Sequence, residues 1–174
     1  MGNKECFDDY LESYQKGIKS QIGGFLIKRN VFDQVGLFSE ELTVAEDTDL
    51  FLRIAYRWPQ FGYLVQPQTI YYNYRPRGIT QQYKQSTSRL SLVDRQIKIS
   101  AEMGKLDAFK PIATKKIKGW LRGAIKDSRI YEVKPVLTKY KDLLPLSVKC
   151  KMHLYALFPQ ITLMWFKLKE KLRF

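Results

Sequence analysis

The run Glu46-Asp47-Thr48-Asp49 puts three carboxylates within four residues, directly ahead of an apolar stretch. Carboxylates in such a run can do two kinds of work. One can take a proton from an attacking hydroxyl, as a general base does. Two that face each other can share a hard divalent cation through their oxygens. Other chemistry has little to draw on. The single histidine, His153, and the distant cysteines Cys6 and Cys150 offer no metal-ligand spacing and no disulfide framework. That cysteine usage suits a reducing compartment. Gly23-Gly24 precedes a strand instead of following one, so it is not a phosphate-binding loop.

An acidic run is also what an ordinary helix start looks like. The positive end of the helix dipole stabilises first-turn acids by about 0.3–1 kcal/mol each. The surrounding elements must therefore decide. Leu50, Phe51, Ile54, Ala55 and Trp58 recur at helical spacing, which predicts a helix opening at the acidic run. Pro59 and Gly62 should stop it. Upstream, Phe25-Leu26-Ile27 reads as a short strand buried on both faces. Asn30 is then placed to cap a short helix over 31–36, and Gly36 to end it. Downstream, 63–65 and 69–74 read as two strands around Gln66-Pro67-Gln68, followed by a loop over 75–80. Residues 1–20 read as a loop or a short helix, with Asp8-Asp9 at the surface.

Taken in order, these parts resemble the central and acceptor-side region of family-two inverting glycosyltransferases of the GT-A fold. The resemblance runs over about residues 22–82. It rests on a strand with Lys28-Arg29, a short helix, and the Gly36-Leu37-Phe38 turn. The acidic Ser39-Glu40-Glu41 follows, then Glu46-Asp47, Asp49-Leu50 and Arg53. Tyr71-Tyr72-Asn73-Tyr74-Arg75 and Gly78-Ile79-Thr80 agree with a family strand ending in Tyr-x-x-Arg and a Ser/Thr loop. Many relatives carry a histidine in that loop; here Arg75 and Arg77 stand there, and their guanidinium forks suit a diphosphate.

The resemblance implies that Asp47 is the catalytic base and that Glu46 orients the acceptor or the local backbone. It implies substrate-binding roles for Gly24, Arg53, Arg75, Arg77 and Thr80. Asp49 reads mainly as a capping or structural acid. Asp47-Thr48-Asp49 has the form of a metal motif but stands in the acceptor-side context. Ile54 stands where a processive synthase would carry the Gln of Gln-x-x-Arg-Trp, so Arg57-Trp58 is not that motif and the chain reads as non-processive. The family's nucleotide-binding half, with its metal-holding Asp-x-Asp, finds no counterpart before residue 22. The expectation is a glycosyltransferase portion serving polysaccharide or cell-surface glycan synthesis. A divalent cation, Mg or Mn, belongs to the complete enzyme and is not expected on this chain alone. A nucleotide-sugar and a glycan or lipid-linked acceptor are the expected partners of the complete enzyme.

The charge is unevenly placed. Residues 1–80 hold 9 Lys/Arg and 10 Asp/Glu, whereas residues 81–174 hold 21 and 7. The basic half is free of strand signals, and helices are expected near 85–104, 110–127, 133–143 and 146–172, the last interrupted at Pro159. The fold class expected is α+β, mostly helical with a few short strands, as part of an α/β GT-A fold. The domain reading is 1–80 as the glycosyltransferase portion and 81–174 as a basic helical appendix.

Lys115, Lys116, Lys118, Arg122 and Lys126 share one helix with the apolar Trp120, Leu121, Ala124 and Ile125. The final segment mixes Leu, Ile, Met and Trp with Lys167, Lys169 and Lys171. Such helices either pack on the domain with a solvated basic edge or lie in an anionic membrane surface. The location expected is cytoplasmic, with a peripheral place at the inner face of the plasma membrane in the second case. The alternative function is a non-catalytic, basic helical module binding nucleic acid or protein. No zinc-finger, RNA-recognition or helix-turn-helix signature supports specific nucleic-acid reading.

Overall fold

Residues 49–56 are enclosed by the chain on every side, their apolar groups covered and the charged Asp49 and Arg53 paired with each other. The computed structural model describes residues 6–18, 22–63, 70 and 88–171. It is mostly helical with one small two-stranded ladder, an α+β chain. Two compact units form, Met1–Ile112 and Ala113–Phe174.

In the first unit, β1 (Cys6–Phe7) pairs antiparallel with β2 (Phe61–Gly62), Cys6 opposite Gly62 and Phe7 opposite Phe61. Helix α1 (Tyr10–Lys16) is capped by Asp9, whose carboxylate accepts the Glu12 N–H at 3.0 Å. Gly17 ends it in the left-handed region, φ 110°, where a side chain would be strained. Helices α2 (Arg29–Val35), α3 (Glu46–Arg57) and α4 (Ser88–Glu102) follow.

Helix α3 is the centre: every residue from Asp49 to Tyr56 is buried. A helix covered all round must be apolar or must pair its polar groups. Phe51 stacks on Phe25 at 4.0 Å between ring centres, and Tyr10 stacks on Phe61 at 4.2 Å. These rings join the N-terminal segment, the ladder and α3. The Tyr10 N–H also donates to the Pro59 carbonyl at 2.8 Å, just past the end of α3.

In the second unit, α5 (Leu106–Lys126, which begins in the first) is followed by α6 (Val133–Lys139), α7 (Leu146–Leu157) and α8 (Pro159–Lys171). Trp120, Leu121, Ala124 and Ile125 are all buried, with Val133, Leu137, Tyr140 and Met152. The apolar side of α5 is therefore spent on packing. Thr114 ties α5 to the segment before α7 by donating to the Leu143 carbonyl at 2.9 Å.

Several sequence expectations need correction. Phe25-Leu26-Ile27 is irregular, and Leu26 is fully exposed instead of buried on both faces. A strand needs a neighbour to take up its N–H and C=O groups, and among the described residues β1–β2 is the only ladder. Helix α2 begins at Arg29 behind Lys28, so Asn30 lies inside it and does not cap it; Gly36 ends it as expected. Pro111 lies inside α5, and Pro159, expected as an interruption, opens α8. The strands expected over 63–65 and 69–74 fall largely outside the described residues, as does the division near residue 80. The compact units part at Ile112, and α4 is bound to α3 through buried polar groups.

Leu121 is fully buried in the second unit. Its replacement in Leu121→Ala should cost about 2–5 kcal/mol. Urea unfolding followed by Trp fluorescence would register this as an earlier transition.

Candidate functional site

At 100° per residue, four successive acids and hydroxyls at the start of α3 cannot share an environment. Glu46 is exposed, Asp47 and Thr48 are half-buried, and Asp49 is fully buried. One turn of helix thus sorts three carboxylates into two that are presented and one that is enclosed.

The enclosed one is fully partnered. Asp49 Oδ2 accepts from Arg53 Nε at 2.8 Å, and Oδ1 accepts from Arg95 Nε at 3.0 Å and from Gln96 Nε2 at 2.7 Å. Arg95 extends outward to Glu41 Oε2 at 2.8 Å. Tyr56 donates its hydroxyl to Gln96 Oε1 at 2.7 Å. Burial, chiefly, and the nearby Asp49 charge push the Tyr56 phenol well above its ordinary value near 10; a hydrogen bond with Ser100 acts in the opposite direction. Tyr56 is therefore a neutral donor in this network.

Arg53 faces inward as well. Its Nη1 donates to the carbonyls of Val35 and Gly36, and Nη2 to that of Leu37 at 2.7 Å. These carbonyls stand at the C-terminal end of α2, where orphan acceptors and the negative end of the dipole favour a cation. Arg53 was expected among the substrate-binding residues; its guanidinium instead clasps the Gly36-Leu37 turn. Gly36 has φ 78°, which lets the chain reverse there. The turn, Asp49 and Arg53 form one device that fixes where α3 begins.

The presented pair sits beyond that device. Ala45, immediately before it, is left-handed at φ 66° without being glycine, and no side chain caps the helix start. Asp47 turns back on the first turn, its Oδ1 accepting from the Thr48 N–H at 2.6 Å and from the Thr48 hydroxyl at 3.2 Å. Among the described residues, Oδ2 of Asp47 accepts no hydrogen bond. Gly24 closes an exposed 3-10 turn, Ile22–Gly24, upstream of Phe25. Arg75, Arg77 and Thr80 lie outside the described residues.

Sequence reasoning placed Asp49 as structural but did not find its partners. Arg95 and Gln96 lie 46 and 47 positions away on α4, and nothing marks them out in a helical stretch that also carries Arg89, Asp94 and Lys98. The Asp47-Thr48-Asp49 run cannot act as a shared cation site as it stands, since every Asp49 oxygen is taken by a donor. Among the described residues, no three His, Cys, Asp or Glu side chains gather to hold a metal.

No family model matches this chain, and neither the curated proteins nor the solved structures compared with it give a match.

Asp49→Asn leaves the buried Arg53 guanidinium without its counter-charge and Arg95 with Glu41 alone, and should cost about 3–5 kcal/mol in denaturant unfolding. Ala45→Gly relieves a left-handed alanine and should raise stability by about 1 kcal/mol in the same assay. Alkaline titration addresses Tyr56. In the unfolded chain this phenol ionises near 10, while the folded one keeps its proton, so its contribution is intact below that pH and is lost above it. Tyr56→Phe should be less stable at neutral pH by about 1 kcal/mol, the worth of its hydrogen bond. It should then lose less stability than the parent on going from about pH 9 to pH 11.

Proposed function

We propose that this chain is the acceptor-side portion of an inverting sugar transferase of the GT-A type, with Asp47 as its base. The supporting observation is the division of labour at the start of α3. Asp49 and Arg53 are consumed in fixing the helix against the Gly36 turn, and this leaves Glu46 and Asp47 at the helix start with oxygen to spare. A base must be anchored and yet offer a lone pair. Asp47 meets both conditions, Oδ1 held by Thr48 and Oδ2 without a protein donor among the described residues.

The chemistry suits that arrangement. An acceptor hydroxyl loses its proton to Asp47 as its oxygen attacks the anomeric carbon of a nucleotide-sugar. The bond to the diphosphate breaks on the opposite face, with inversion. A carboxylate positioned beside the attacking hydroxyl can receive that proton as a general base. Glu46, exposed one position earlier, is placed to accept hydrogen bonds from other acceptor hydroxyls. A divalent cation would neutralise the departing diphosphate in a complete enzyme. Among the described residues no ligand cluster for it is present.

Saturation-transfer NMR with a panel of oligosaccharides tests the acceptor role. Saccharide signals are expected, and Asp47→Asn and Glu46→Gln should each weaken binding by about tenfold, the scale of one hydrogen bond to a charged group. Stability should fall by no more than about 1 kcal/mol, the worth of a first-turn acid, since both side chains are outside the Asp49 network. Calorimetric titration of UDP, GDP and their sugars with Mn²⁺ should give no heat of binding. Absence of any saccharide signal, or metal-dependent nucleotide-sugar binding lost in Asp47→Asn, would defeat the assignment.

A further inference from the structure

Helices α7 and α8 leave a large apolar surface uncovered. Leu154 and Leu157 on α7, and Ile161, Met164 and Leu168 on α8, are all exposed, Met164 to 73 % and Leu157 to 72 %. Positions 161, 164, 165 and 168 follow the i, i+3, i+4, i+7 rule, so one side of α8 is apolar and faces outward. Thr162, off that stripe, is buried. This is the reverse of α5, whose apolar side packs inward. A contiguous apolar face of this kind marks a surface that something covers.

The charge indicates what covers it. Residues 113–174 hold 15 Lys/Arg against 4 Asp/Glu. Helices α7 and α8 themselves contain Lys149, Lys151, Lys167, Lys169 and Lys171 with Glu170 as the only acid. A second copy of the chain would bring like charges together. A nucleic acid would satisfy the lysines and leave Leu157 and Met164 in water. A surface that is anionic outside and apolar beneath satisfies both. Lys151 also lies 5.6 Å from the Tyr155 ring centre and 6.0 Å from that of Trp165, and these two rings are 5.9 Å apart. A cation beside two amphipathic rings suits the headgroup layer, where a lysine stem can run along apolar surface with its ammonium in water.

From this combination we infer that the α7–α8 face lies in the surface of an anionic lipid bilayer. It lies along the membrane plane and does not cross it, since no described helix is long and apolar enough to span. This inference is independent of the sugar-transfer reading, because it uses none of the residues of α3.

Flotation of the full chain with phosphatidylcholine–phosphatidylglycerol vesicles tests it, with pure phosphatidylcholine vesicles alongside. Binding to the anionic vesicles should be at least about tenfold stronger and should fall as salt is raised. The variant Leu157→Gln, Ile161→Gln, Met164→Gln, Leu168→Gln should lose flotation while keeping its helical circular dichroism and melting temperature. If four changes unfold the chain, the pair Ile161→Gln, Met164→Gln carries the same test with a partial loss. Flotation absent with anionic vesicles, equal on both lipids, or unaltered in the folded variant would overturn the inference. Sedimentation equilibrium should show a monomer. A dimer that the variant dissolves would make a second copy the occupant and would equally overturn it.

Discussion

A single buried carboxylate, that of Asp49, holds the first unit in register. An ion enclosed in this way costs several kcal/mol unless charge and hydrogen bonds both answer it. Here two guanidinium groups and an amide do so, from two places in the chain: Arg53 one turn further along α3, and Arg95 and Gln96 on α4. Each partner is itself fastened elsewhere, Arg53 to the end of α2, Arg95 to Glu41, and Gln96 to Tyr56. The network therefore fixes the positions of α2, α3, α4 and the loop between α2 and α3 at once. An apolar core alone would tolerate small slides among these helices. A set of directional bonds to one enclosed ion does not.

The start of α3 inherits its geometry from this arrangement. Gly36 reverses the chain, Arg53 holds the carbonyls of that turn, and the loop over 37–45 runs from there into the helix. Ala45 takes up the remaining bend in the left-handed region, at a cost that glycine would not bear. The result is that Glu46 and Asp47 are held at the surface end of a helix whose other side is locked. A rigid element carrying a presented carboxylate is what proton abstraction requires. The same network engages every nitrogen of the Arg53 guanidinium.

The second unit follows different physics. Its core is built on α5 and α6, where aromatic and aliphatic groups meet with few polar partners. Its outer helices keep apolar residues in water beside a large excess of lysine. Those two features conflict in an isolated globular unit and agree at an anionic, apolar boundary.

Much of the local structure was legible along the chain. The helical recurrence from Leu50 to Ala55, the stop at Gly36, the break at Pro159 and the buried side of α5 each depend on residues within a turn or two of one another, and local sterics and periodicity determine them. The acidic run could be read as a helix start with chemistry in it, but not sorted. Which carboxylate turns inward depends on where Arg95 and Gln96 arrive, more than forty positions later, and on the carbonyls that Arg53 finds across a turn. The expected strand at Phe25–Ile27 failed for the same reason: its alternation was local, while the neighbour that would make it a strand had to come from elsewhere. Sequence alone determined what each segment could become and which groups were able to do chemistry. Tertiary structure decided which of those groups were used to hold the fold and which were left to act, because burial and pairing are properties of distant residues brought together.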